Sequence, residues 1–509
     1  MERKWWTLIV VCAATFMLLL DVTIVVVALP DIQRALSSSF SELQWVTDAY
    51  ALTLAALLLT SGSLADRFGR RRVFVLGLVV FTLGSVLCAV AQDPVMLIIS
   101  RALQGIGGAM LFATSLALLA MNFHGRERGI AFGAWGAITG ISTALGPILG
   151  GLITSGISWR GIFWVNLPVG IAAVVIALRK VEESKAPHAH RPDWAGFVTL
   201  TGGLVALVYG LIRASETHWG DHIVLACFVL AVVLLAAFVV VEMRVAYPMF
   251  DLSLLRIPTF LGGSVAAFAM NGSLFAMLLY LTLYLQNDLG YSSLQTGLRL
   301  LVISGTSMVV ATLAGRASAH VPVRLLIGPG LLLVGIGLFL MSGLNADSSW
   351  THLVPGFVVA AIGSGMVNPP LASTAVGVVH HFRSGMASGV NNTFRQVGMA
   401  VGIAAYGSLF TARLARGLDK HLAGTPQAGQ SSRLADAVHQ GTVAPLLAKQ
   451  PELGGAIHAS FAGAINDLFV SGGVLAVVGG VLALGLIRGK DFAAVHEQAP
   501  AAEPEAVPA

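Results

Sequence analysis

The sequence predicts an all-α integral membrane protein of about fourteen transmembrane helices. Three observations predict it. Only 11% of the 509 residues are charged, against about 25% in a typical soluble domain, while 56% are hydrophobic. So few charges cannot cover the surface of a soluble protein this long. The apolar runs approach the roughly 20 residues that an α-helix needs to cross a bilayer, and far exceed the ~10-residue alternating segments of a β-barrel. Glycine fills 57 positions, and small residues let helices approach closely in lipid. In a soluble chain the net charge of +5 would point to nucleic acid. Here it reads as surplus Lys and Arg in cytoplasmic loops, so nucleic acid is not an expected partner and the lipid bilayer is.

The first run, 6–29, has a basic start like a signal peptide. It continues to Leu29 with no small-residue cleavage site, which makes it a span. Runs at 44–64, 72–91, 94–119, 130–155 and 161–178 complete a group of six, residues 1–178. Arg179–Asp193 is charged, carries two prolines and reads as a cytoplasmic linker (179–193). Runs at 194–212 and 222–242 form an inserted pair within 194–257. Six more, at 258–286, 293–315, 322–343, 351–377, 386–412 and 463–487, make a second half spanning 258–490. Polar residues 413–462 are expected to be an external loop, with room for short helices, and the tail 491–509, rich in Ala, Pro and Glu, to be disordered. A faint repeat supports two halves. Gly62–Arg71 follows the second run, and a related stretch, Gly315–Arg324, follows the tenth. Repeated halves are the common build of secondary transporters.

Charge bias sets the orientation. With the N-terminus cytoplasmic, 19 of the 30 Lys and Arg fall in inside segments, and the short outside loops hold only Arg34, Arg160 and Arg213. An even number of spans then puts both termini inside. Cys12, Cys88 and Cys227 all sit in apolar runs and form no loop pair. No phosphate-binding loop, hydrolase motif or zinc motif occurs. His188 with His190, and His380 with His381, lack neighbouring acids or cysteines to complete a metal site. The chain is therefore read as no enzyme, with no metal and no cofactor, and its chemistry is sought among charges within the spans.

A charge inside a span costs about 3 kcal/mol on insertion scales, so each needs a reason. Asp21 lies eight residues before the end of its run, and Arg101 seven residues into the fourth. At 1.5 Å per residue both are about 10–12 Å below the same membrane face, so a contact is plausible from depth alone. A structural ion pair is one reading of it. The other is coupling, since a ligand or conformational change that separates the two would alter the acid's proton affinity. Asp48, four residues into the second run, is a further candidate for proton coupling. Arg395 sits mid-span with Asn391, Asn392 and Gln396 nearby on the helix, so this stretch faces protein or a cavity. In the ninth run Phe268, Met270, Asn271, Phe275, Met277, Tyr280 and Tyr284 mix adaptable apolar and cation–π surfaces. Asn271, Tyr280, Tyr284, Asn391, Arg395 and Gln396 are thus the candidate substrate cavity. In the fifth run Gly136 and Gly140 form G-x-x-x-G, followed by Gly146, Pro147 and Gly150. This combination suits a helix that packs tightly yet can hinge.

Several of these stretches carry a specific resemblance. Gly62–Arg71 (GSLADRFGRR) resembles the loop between spans two and three of the major facilitator superfamily. Arg101–Gly108 resembles its span-four motif, and Gly136–Gly151 the span-five motif of its antiporters. Asp21 with Ala28–Pro30, Trp45–Tyr50 and Trp159–Pro168 resemble the fourteen-span drug–proton antiporter family. The resemblance implies the major facilitator fold and proton-driven export by alternating access, with no cofactor beyond the proton gradient and a monomer as the working unit. It implies coupling roles for Asp21 and Arg101, a cytoplasmic gate at Gly62, Asp66, Arg67, Gly69, Arg70 and Arg71, and a hinge at Gly136, Gly140, Gly146, Pro147 and Gly150. Two departures stand out. Val26 replaces the asparagine usual in span one, and the tenth run, Gly297–Gly315, lacks the acid that some members use for divalent cations. The expected cargo is a small amphipathic compound, cationic or zwitterionic. The alternatives are a dedicated exporter of one metabolite or antibiotic, and a membrane sensor or scaffold without transport.

Overall fold

The computed structural model describes residues 2–123, 125–185, 193–217, 219–246, 248, 250–318, 320–379, 384–423, 431, 434, 438 and 453–492. A long helix occupies each predicted run. They are α1 (Arg3–Leu36), α2 (Phe40–Phe68), α3 (Arg70–Ala89), α4 (Pro94–Asn122), α5 (Gly125–Gly156), α6 (Gly161–Lys180), α7 (Trp194–Glu216), α8 (His222–Arg244), α9 (Pro258–Asp288), α10 (Ser293–Ala317), α11 (Arg324–Met341), α12 (Val354–Gly377), α13 (Ser384–Leu422) and α14 (Gly454–Leu486). Among the described residues, twelve are long and apolar enough to cross a membrane.

Local chemistry places the helix ends. Ser39 and Glu42 form a capping box at the start of α2, and Ser292 with Gln295 does the same for α10. Asp93 accepts from Met96 N ahead of Pro94 in α4, and Asp221 accepts from Ile223 N and Val224 N in α8. These side chains satisfy orphan N–H groups that lipid could not. The matching boxes on α2 and α10 fall at equivalent places in the two halves. Helix packing repeats likewise: α1 on α5, α2 on α4 and α3 on α4 correspond to α9 on α13, α10 on α12 and α11 on α12. The halves meet along α5–α10 and α2–α13. The inserted helix α7 lies against α8 and against both α2 and α13, so it covers one of the two seams between the halves.

Within the predicted loop 413–462, α13 runs on to Leu422 and α14 begins at Gly454. Leu414, Leu418 and Leu422 recur every fourth residue and are fully or nearly fully buried, while Arg413, Asp419 and Lys420 lie on other faces. That is an amphipathic helix end, and averaging its hydropathy hides the apolar stripe. Most of 424–452, the tail beyond Phe492, the linker histidines His188 and His190, and His380 with His381 fall outside the described residues.

Described hydrogen bonds between the halves gather where α1 gives way to α2. Gln286 Nε2 donates to Val27 O at 2.8 Å, Asn287 Nδ2 to Gln33 Oε1 at 3.3 Å, and Leu294 N to Ser155 Oγ at 3.1 Å. Ser293 Oγ donates to Asp31, and Gln44 Nε2 to Tyr280 Oη at 2.9 Å. Towards the other end, Thr393 Oγ1 reaches Ala55 O at 3.4 Å.

Candidate functional site

Asp21 and Arg101, paired above by depth alone, are in contact. Arg101 Nη1 lies 2.5 Å from Asp21 Oδ2, and the two residues are 2% and 1% exposed. The pair sits in a closed polar cluster. Arg101 Nη1 also donates to Gln104 Oε1 at 2.6 Å, and Gln104 Nε2 returns a bond to Asp21 Oδ1 at 2.8 Å and one to Ser85 Oγ at 2.7 Å. Asn166 Nδ2 reaches Asp21 Oδ1 at 3.3 Å and Ser85 Oγ at 3.1 Å. Arg101 Nε donates to Val46 O at 3.1 Å, and its guanidinium carbon lies 4.2 Å from the centre of the Tyr50 ring. Helices α1, α2, α3, α4 and α6 therefore converge on one carboxylate. A buried ion pair repays its desolvation only with further hydrogen bonds to its members, and here both Asp21 oxygens accept while Arg101 donates from Nε and Nη1. Gln104 and Asn166 also occupy the polar role that Val26 had put in question.

The structure does not bring Asp48 into this cluster. Asp48 is fully buried on α2, one turn after Gln44, and neither carboxylate oxygen has a hydrogen-bond partner among the described residues.

The loop between α2 and α3 is braced by a residue the sequence reading passed over. Gly69 adopts φ 114°, in the region that favours glycine. A Cβ there would come within 2.6 Å of the Glu183 carboxyl. Glu183 accepts from Arg71 N at 3.0 Å and Arg72 N at 3.3 Å, so it caps α3 where the helix dipole favours an anion. Arg70 N donates to Ser184 O at 2.9 Å and Arg71 Nη1 to Val181 O at 3.2 Å. Arg67 is exposed over the Phe68 ring, and no neighbour crowds Gly62. The Asp66 side chain lies outside the described residues. Glu183→Ala is expected to lower stability by about 1 kcal/mol, the usual cost of a lost cap. A thermal-shift measurement on the purified protein checks this, and an unchanged midpoint would contradict it.

The glycine-rich stretch of α5 forms two tight crossings. A Cβ at Gly146 would lie 1.9 Å from Thr23 Oγ1, and one at Gly150 2.9 Å from Ile24 O, so α1 approaches too closely for any side chain there. Across the seam between the halves, a Cβ at Gly297 of α10 would lie 2.1 Å from Pro147 O. The surroundings of Gly136 and Gly140 lie outside the described residues.

Beside these crossings is a small cavity of about 60 Å³. Val22, Thr23, Val26 and Val27 of α1 form one wall with Pro147, and Leu274, Phe275 and Leu278 of α9 another. Ile303, Ser304 and Ser307 of α10, Ser364 of α12 and Met399 of α13 complete it. Val22 follows Asp21 directly, so α1 presents the Asp21 carboxylate on one face and the cavity wall on the other.

Four residues assigned above to a substrate cavity are placed elsewhere. Tyr280 is 1% exposed, bonds to Gln44 and Ile403 O, and packs among Phe40, Tyr406 and Phe410. Tyr284 is buried against Phe461, Asn271 Nδ2 turns back to Ala267 O at 2.9 Å, and buried Asn391 faces Gly263 O. Hydropathy cannot separate an aromatic that fills a helix seam from one that faces a cavity. Arg395 and Gln396 are half-buried, within one turn of Met399. The bonds of α9 also loosen locally, with π-helical turns at Asn271–Phe275 and Tyr284–Asp288, a feature frequent at functional sites.

Residues 11–403 match the family described as the Major Facilitator Superfamily. The chain belongs to the major facilitator superfamily. It is 37% identical to the puromycin resistance protein of Streptomyces alboniger, over 82% of this chain and 84% of that one. It is 33% identical to the tetracenomycin C resistance and export protein of Streptomyces glaucescens, over 95% and 91%, respectively. The multidrug resistance protein Stp of Mycobacterium tuberculosis is 36% identical over 82% of this chain and 78% of its own length. Among solved structures, a bacterial homologue of the human lysosomal transporter Spinster, inward-facing and occupied, shares the fold with a TM-score of 0.65 at 17% identity, covering 96% and 98% of the two chains. The chain is thus a multi-pass transport protein of the major facilitator superfamily, and not an enzyme.

Proposed function

We propose that this protein is a proton-driven antiporter that exports amphipathic compounds by alternating access, with both termini in the cytoplasm and no cofactor beyond the proton gradient. The observation that carries the reading is the buried Asp21–Arg101–Gln104–Asn166 cluster, one residue along α1 from the cavity wall. Cargo pressing on Val22 and Val26 moves the helix that holds the carboxylate. Cargo that seats α1 against α4 favours the Asp21–Arg101 ion pair over a protonated Asp21, so cargo and proton compete through one helix. The tight α1–α5 and α5–α10 crossings make such a shift a movement of packed helices and not a local rearrangement. The charge bias of the loops, with the N-terminus inside, puts the bonded ends of the two halves on the outer face. This conformation would then be closed to the outside, and the loop braced by Glu183 would serve as the gate of the opposite state.

The relatives' names favour a toxic or antibiotic cargo, and the mainly apolar wall suits the body of an amphipathic molecule. The aromatic and methionine content of α9 made a cation the expected cargo. Phe275 offers a cation–π face, but no carboxylate stands among the residues of the wall. A compound with two separated positive charges is accordingly expected to leave more slowly than a monovalent analogue of equal size. Equal, proton-dependent efflux of the two in inside-out vesicles would overturn that expectation.

The test of the function itself is efflux from a pump-deficient host across a panel of toxic compounds, with and without a protonophore. Protection that collapses with the protonophore is the expected result. Undiminished efflux would remove proton coupling, and no protection against any compound would favour the sensor or scaffold reading. Asp66→Asn and Arg70→Ala are expected to leave protein levels near normal and to slow turnover. Equal rates at equal protein levels would remove the gating role.

A further inference from the structure

We infer that Arg395 receives the acidic group of an amphipathic anion, so that the compounds exported include carboxylates and similar acids. The inference rests on the export reading above and deepens it.

Arg395 lies eleven residues into α13 from Ser384, about 16 Å along the helix axis, within the candidate span Gly389–Leu422. Its Nε is fully buried with no hydrogen-bond partner, and among the described residues the side chain has no ion-pair partner either. The other deeply placed arginine, Arg101, is neutralised by Asp21. Arg395 is therefore a cation within a membrane span whose charge nothing described in the protein offsets. Such groups characteristically face a cavity or a substrate path.

Helix geometry gives its direction. Gly398 and Gly402 press α13 onto α9, where a Cβ would meet Phe268 O at 2.4 Å and Gly272 O at 2.6 Å. Thr393 and Gly407 face α2 through Ala55 O and Gln44. Met399 lines the cavity. At about 100° per residue, Arg395 projects between the ridge on α9 and Met399, about 40° from Met399, and away from α2. It stands one turn from the wall, on the flank of the cavity. A planar guanidinium in that position binds a carboxylate with two parallel N–H donors, which an ammonium cannot do. The wall beside it is apolar with the hydroxyls of Ser304, Ser307 and Ser364, a surface for the body of the molecule and for neutral polar groups.

Three matched fluorescent probes test this on the full-length purified protein: 1-pyrenebutyrate, its methyl ester and 1-pyrenebutylamine. In phosphatidylcholine nanodiscs, the butyrate is expected to bind about tenfold more tightly than the ester, and the amine no better than the ester. Arg395→Gln should erase the difference while still binding the ester, and Arg395→Lys should keep part of it. Equal binding of butyrate and ester by the wild type, or a full preference retained by Arg395→Gln, would overturn the inference. If Arg395→Gln does not fold, the wild-type comparison and Arg395→Lys still decide it. Adding phosphatidylglycerol to the nanodiscs separates cargo from lipid. A butyrate preference that survives supports the cargo, and one that vanishes assigns Arg395 to an anionic headgroup. Gradient-driven efflux of a neutral compound with no butyrate preference would sink this inference alone. A preference without gradient-driven efflux would sink the antiport reading and leave Arg395 as an anion site.

Discussion

Asp21→Asn is expected to reduce gradient-driven export to background while leaving a folded protein that still binds cargo. Asparagine has the shape of aspartate, and its one amide oxygen can still accept from Gln104 and Asn166 or from Arg101, the donors that surround Asp21, while its NH2 faces the remaining donor side. It cannot exchange a proton. The imposed gradient then has no group in the cluster on which to act, although cargo can still move down its own gradient or exchange across the membrane. The unpaired charge on Arg101 is softened by the Val46 carbonyl, the Gln104 side chain and the Tyr50 ring, so the variant should remain purifiable. The check is uptake into inside-out vesicles with an imposed pH gradient, normalised to protein level. A normal gradient-dependent rate would move the coupling role elsewhere. Asp48, buried with an unbonded carboxyl on α2, is the next residue to test.

Arg101→Ala should behave differently, and worse. It leaves the Asp21 carboxylate buried without its counter-charge, and also removes the donor to Val46 O and the cation over Tyr50. Taking one partner from a buried pair typically costs about 3–5 kcal/mol, against a total stability of about 5–15 kcal/mol for typical proteins. Expression and thermal midpoint should therefore fall clearly below those of Asp21→Asn. The double variant Asp21→Asn, Arg101→Gln should recover much of the stability and none of the transport, because it removes both charges and restores neither proton exchange nor the ion pair. Coupling of this kind is expected only between residues in contact. Additive losses in the double variant would mean that the pair is not the energetic unit its 2.5 Å separation implies.

The fold was legible because lipid leaves so little choice. Each apolar run had to be a helix, and the polar segments between runs marked where each helix stops. Within 413–462 the helix ends were harder to read, because α13 and α14 extend beyond their most apolar residues. The ion pair was legible because Asp21 and Arg101 are rare charges at equal depth. The company they keep was less so. Gln104 follows Arg101 at helical spacing on the same face and could have been found that way. Asn166 stood in a noted motif without an assigned role. Ser85 is one of many small polar residues in apolar runs, and nothing local marks it. Glu183 was hidden for another reason. It lies in a charged linker where every carboxylate looks solvent-exposed, and only the fold brings it to the start of α3. The substrate residues were least legible, because an apolar or aromatic side chain facing a cavity and one facing a neighbouring helix share one hydropathy. Tyr280 and Tyr284 went to the seams, while Val22, Leu274 and Met399 went to the wall.

The most direct test of the coupling claim is proton release on cargo binding. Purified protein in weakly buffered detergent, with a pH indicator, is mixed with a compound that the wild type exports. The wild type is expected to release protons as cargo seats α1 against α4 and favours the Asp21–Arg101 ion pair, and Asp21→Asn, binding the same compound, to release none. Equal release by the two proteins would contradict the account, since the proton would then come from a group outside the Asp21–Arg101 cluster.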